Sequence, residues 1–102
     1  MKLPKTVTIA GKRIRLIVEE FKGADSGTFG EYFHDDKLIQ LNTGLTNENA
    51  LETLRHEMME ASLFISGLAW AESYEQESVV RCMEEIFFPA WETILKRIER
   101  KK

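Results

Sequence analysis

Three ionisable residues stand close together in the run His56-Glu57-Met58-Met59-Glu60: His56, Glu57 and Glu60. Residues four apart on a helix stand above one another, so His56 and Glu60 can both reach a single cation. Glu57, displaced by about a third of a turn, lies beside such an ion. From there it can take a proton from an activated water, as metal-assisted hydrolysis requires. The bland alternative is a charged helix flank with His56 as a surface residue, and the five-residue pattern alone does not choose between them.

The helix that must carry these residues is legible. Thr46 or Asn47 can cap it, it runs to about Ser66, and Gly67 suits the position after its end. At roughly 100° per residue from Glu48, its surface divides into three arcs. Ala50, Leu51, Leu54, Met58, Ala61, Ile65 and Leu68 make a core stripe. Glu48, Glu52, Arg55, Met59, Ser62 and Ser66 form a mostly solvated face. His56, Glu57 and Glu60 share the third arc, which continues one turn on into Leu63 and Phe64. A solvated flank would not end in Leu and Phe, so this arc reads as a second contact surface whose ionisable groups are half-buried and need partners.

A third ligand could come from the next helix, as in thermolysin-like sites. Glu77 falls in the first turn of that helix, with Glu72, Glu75 and Glu84 as competitors. Its other reading is a favourable charge at a helix N-terminus. The pattern Ser73-x-x-Gln76 opens this helix, which spans about residues 74–100. Val79, Met83, Ile86, Phe87, Ala90, Trp91, Ile94 and Ile98 hold helical spacing along it, and Pro89 predicts a kink.

The elements before residue 46 read as two β-hairpins over residues 6–42. Thr6-Val7-Thr8-Ile9, the turn Ala10-Gly11 and Arg13 to Val18 make the first. After a loop from Gly23 to Gly27, Thr28 to Phe33 and Leu38 to Asn42 make the second, about a turn over His34 to Lys37. The expected fold is α+β: a small antiparallel sheet of three to four strands packed against two long helices. An edge strand near Tyr32-Phe33-His34 could bind peptide backbone, with His34 itself read as a turn residue.

With 102 residues the chain is one domain. Its net charge of −3 offers no global basic field for nucleic acid or anionic lipid. The basic run from Lys96 to Lys102 suits the negative pole of a helix end. No apolar run is long enough to span a membrane. Met1 to Lys5 lack an apolar segment of the secretory type behind them. The single cysteine, Cys82, excludes an internal disulfide and sits in a helical pattern as a small buried residue. These features together read as a cytoplasmic protein. Phe87-Phe88 and Trp91 admit a homodimer as well as a monomer.

The order of elements resembles the short phage and prophage proteins of the HExxH zinc-metallopeptidase class, the minigluzincin-like and SprT-like sets. The residues that carry the resemblance are Gly30-Glu31-Tyr32, Lys37-Leu38-Ile39, and Thr53-Leu54-Arg55-His56-Glu57 with Ala61. Gly67-Leu68 and Glu77-Ser78-Val79-Val80-Arg81 complete it. The resemblance implies a zincin-like core, a zinc ion and hydrolysis of peptide bonds in a peptide or protein substrate. It implies His56 as first metal ligand, Glu57 as general base and Glu77 as the glutamate ligand. The chain departs from the pattern at Glu60, which stands where the class has its second histidine. Two carboxylates and one imidazole leave a dication formally neutral, a weaker Lewis acid, and shift preference from Zn²⁺ toward Mn²⁺ or Fe²⁺. Hydrolysis would be weak or lost, and the alternative is an inactive binding or accessory module on the same fold, with or without a metal.

Overall fold

A computed structural model describes residues 1–70 and 75–100, apart from the side chains of Trp70 and Arg100. Four strands form one sheet: β1 (Thr6–Ile9), β2 (Lys12–Val18), β3 (Gly30–Phe33) and β4 (Leu38–Leu41). Alternation dictates their faces. Val7, Ile9, Ile14, Leu16, Tyr32, Ile39 and Leu41 point inward and are buried. β1 and β2 meet at Ala10-Gly11, where both residues take positive φ (49° and 79°), as a two-residue hairpin turn requires.

The spatial order is β1-β2-β4-β3, and this corrects the expected antiparallel sheet. β1/β2 and β3/β4 are antiparallel, but β2 and β4 run parallel, with Leu16 opposite Ile39. The second hairpin therefore joins the first through β4, leaving β3 on the edge. The connection between them is fixed by the Asn42 side chain, which donates to Thr28 O at 2.8 Å and Ser26 O at 3.1 Å. Phe21 is buried within that connection.

Helix α1 (Asn47–Ile65) starts at Thr46, whose hydroxyl accepts from the Asn49 N–H at 3.1 Å. It ends at Ser66, before Gly67 with φ 87°. Ala50, Leu54, Met58 and Ala61 are buried, as the core stripe requires. Helix α2 (Gln76–Cys82) passes through a π-helical stretch, Met83–Phe87, into helix α3 (Phe88–Arg100). The irregularity thus precedes Pro89. Proline has no N–H to return to the carbonyl one turn back, and the Phe88 N–H reaches Met83 O instead. Ser73 lies outside the described residues, so the capping box there is not described; Glu75 occupies the N-cap of α2 without a side-chain bond.

Both helical stretches lie on the inner face of the sheet. Phe87, Ala90, Ile94 and Ile98 join Leu54, Met58 and Ala61 over the inward strand residues in one core. No helix among the described residues is long and apolar enough to cross a membrane.

Candidate functional site

The polar arc of α1 turns toward the edge strand β3. The backbone N–H groups of β3 alternate, and the Asn42 N–H to Phe29 O bond at 2.8 Å sets the phase. In that phase Glu31 and Phe33 bond to β4, while Gly30 and Tyr32 turn their N–H and C=O away from the sheet. The Tyr32 N–H meets the carboxyl of Glu57. Strand and helix touch at this point: a Cβ on Gly30 would lie 2.5 Å from Thr53 Cγ2.

Glu57 is 5% exposed, a rare condition for a carboxyl. Its carboxyl shares a hydrogen bond with Glu60. His56 Nε2 lies 3.3 Å from Glu60 Oε1 and 4.0 Å from Glu57 Oε2. The three donor atoms fall within 4.8 Å of one another, which makes the group a candidate cation site. His56 and Glu60 are open to solvent on its outer side, with side chains 68% and 47% exposed.

Burial drives the Glu57 carboxyl up to about 7 from an ordinary 4.5. The negative charge of Glu60 and the hydrogen bond between the two carboxyls add to the rise, and Glu31 adds a little. The Tyr32 N–H opposes it by stabilising the charged form. Tyr32 itself is raised, through burial.

Two donors of this kind suit one cation. Nitrogen and oxygen ligands at about 2.0–2.2 Å in tetrahedral array stand roughly 3.3–3.5 Å apart, the separation already present between His56 and Glu60. The Glu57 carboxyl lies beside this pair, its Oε2 4.0 Å from His56 Nε2.

Glu77 is not brought to this cluster. Its side chain is 86% exposed and pairs with Arg81 at 3.5 Å. The reason lies in how the helices meet. Cys82 is buried against α1, its thiol donating to Ser62 O at 3.6 Å and Ser66 Oγ at 3.5 Å. Ser62 is some 160° around α1 from Glu60 at 100° per residue. The second helix therefore packs on the opposite flank from the polar arc. Glu75 and Glu84 are exposed on that same stretch, and Glu72 lies outside the described residues. Ser62, placed by its angle on the solvated face, is in fact fully buried.

Two further residues join the arc, Tyr32 from β3 and His34 from the turn that follows it. Tyr32 OH and His34 Nδ1 are 2.8 Å apart, and the His34 ring stacks on Phe64 at 5.0 Å. His34 does begin the turn between β3 and β4, as expected, but its ring folds back onto α1 one turn beyond Glu60. The period-two spacing of Tyr32 and His34 was the signal that both share a face. At the other end of the arc a cleft of about 270 Å³ opens between Phe29, Gly30, Glu52, Thr53, His56 and Glu57. Phe29 is 53% exposed at its wall.

Compared with protein-family models, with curated proteins and with solved structures, the chain matches none of them.

Proposed function

We propose that the His56–Glu57–Glu60 cluster is the centre of a metal-dependent hydrolase of peptide bonds with a zincin-like core. The observation that carries this reading is the approach of His56 Nε2 to Glu60 Oε1 at 3.3 Å with the buried Glu57 carboxyl beside them. His56 and Glu60 would hold the divalent cation, Zn²⁺ or the harder Mn²⁺ or Fe²⁺. When bound, it would polarise a carbonyl and activate water. Glu57 would hold and move the proton. Its partners fix the position of its carboxyl, which is what a general base requires.

The surrounding elements support the same reading. The motif helix crosses the inner face of a four-stranded sheet, and the edge strand beside it runs antiparallel to its neighbour. Gly30 directs its N–H and C=O toward the cleft that adjoins His56 and Glu57, where an extended peptide could pair with the edge. Binding of about one equivalent of Zn²⁺ or Mn²⁺, lost in His56→Ala, together with peptide hydrolysis lost in Glu57→Gln, tests it. Absence of saturable metal binding would remove it.

A second reading, an inactive binding or accessory module on the same fold, is favoured by a different observation. Glu57 is engaged by the Tyr32 N–H and by Glu60, and so ties α1 to β3. On that reading Glu57→Gln changes stability and nothing else, and the protein takes up no metal.

A further inference from the structure

β1 is the other edge strand of the sheet, far from the metal-binding candidate, and a groove runs beside it. β1 bonds to β2 through alternate residues, and the Leu16 N–H to Lys5 O bond at 2.8 Å sets the phase. Val7 and Ile9 therefore face β2, while Thr6 and Thr8 turn their N–H and C=O outward. The outward carbonyl of Thr6 already accepts from Arg97 Nη1 at 3.2 Å, so α3 stands alongside this edge. Between them runs a groove of about 410 Å³, with Thr8 and the Ala10-Gly11 turn on the strand side. Its floor is apolar: Ile86, Pro89, Ala90 and Ile94.

Charge marks the two ends of the groove. Arg97 lies at the Thr6 end. Glu85 lines the groove twelve residues earlier, about 18 Å away along a helix at 1.5 Å per residue. An extended chain rises about 3.3 Å per residue, so five to seven residues span that distance.

The geometry points to a strand-addition site between β1 and α3 for an extended peptide segment of a protein partner. The segment pairs with the outward groups of Thr8 and lays alternate apolar side chains on the helical floor. A basic side chain stands at Glu85 and an acidic one at Arg97. Backbone hydrogen bonds to an open edge and pockets for every second side chain are the usual elements of such recognition. Edges of this kind attract added strands unless something covers them. The site uses no residue of the α1 cluster and is independent of whether that cluster binds metal.

The test is binding of two seven-residue peptides, acetylated and amidated, followed by amide chemical shifts of the full-length protein. Lys-Thr-Val-Thr-Val-Thr-Glu should shift the amides of Thr8 and Ala10. The reversed-charge peptide Glu-Thr-Val-Thr-Val-Thr-Lys should bind roughly tenfold more weakly if it enters in the same direction, the scale of two exposed charge pairs turned repulsive. The double variant Glu85→Lys/Arg97→Glu should invert that preference, an outcome general destabilisation cannot produce. Equal binding of both peptides, no binding at millimolar concentration, or shifts at Gly30 and Tyr32 instead would overturn the proposal. So would self-association through this groove, seen as a doubling of mass by light scattering.

Discussion

The backbone N–H of Tyr32 points out of the sheet onto the carboxyl of Glu57, joining the edge strand to the helix that carries the candidate site. The same carboxyl leans on Glu60, which in turn lies 3.3 Å from His56. Helix position, edge-strand phase and candidate chemistry are therefore one arrangement, and a change to any part is felt in the others.

The pH dependence of stability follows from Glu57. Its folded value, about 7, stands above the ordinary 4.5, so the folded state holds the proton more tightly than the unfolded one. The contribution is fully present below about pH 4.5 and is lost as pH rises through 7. In chelator, the urea midpoint should therefore fall between pH 5 and pH 8 by an amount worth on the order of 1–3 kcal/mol. Glu57→Gln should flatten that slope and be the more stable protein at pH 8. A rise in stability over the same window, specific to the wild type, would contradict this.

Gly30→Ala should destabilise through contact rather than backbone strain. The new Cβ meets Thr53 Cγ2 at 2.5 Å and Gln40 O at 3.1 Å. Overpacking of this kind costs about 1–3 kcal/mol. Adding Thr53→Ser, which removes Cγ2, should recover part of the loss in thermal unfolding, whereas two independent effects would simply add.

The π-helical stretch sets the register of two adjacent aromatics. Phe87 is 1% exposed and Phe88 is 47% exposed. Phe87→Ala should cost about 3–5 kcal/mol. Phe88→Ala should stay within about 0.5 kcal/mol, as exposed positions do. Denaturant titration of the pair checks the assignment, and comparable losses would mean the register is wrong.

Much of this arrangement could be read from residue order. The cap at Thr46, the core stripe of α1 and the Ala10-Gly11 turn rest on local rules of spacing and turn chemistry, and the structure has each of them. The polar arc ending in Phe64 signalled a second contact surface, which is β3. What could not be read was pairing at a distance. Nothing local says that β4 inserts beside β2, since strand order depends on which apolar strand wins the centre of the sheet. The same blindness misplaced Glu77. Helical angles give the face of each helix but not the flank on which two helices meet, and that flank was set by Ser62 and Cys82. Ser62 looked solvated because a hydroxyl buried in a helix satisfies itself locally, here on Met58 O at 2.8 Å.

On the proposed function, His56 and Glu60 hold a divalent cation beside Glu57. Equilibrium dialysis of the purified protein against Zn²⁺ and Mn²⁺, with elemental analysis of wild type, His56→Ala and Glu77→Ala, tests it most directly. About one equivalent is expected in wild type and in Glu77→Ala, and none in His56→Ala. Equal retention by wild type and His56→Ala, or no saturable uptake by any of the three, would contradict it.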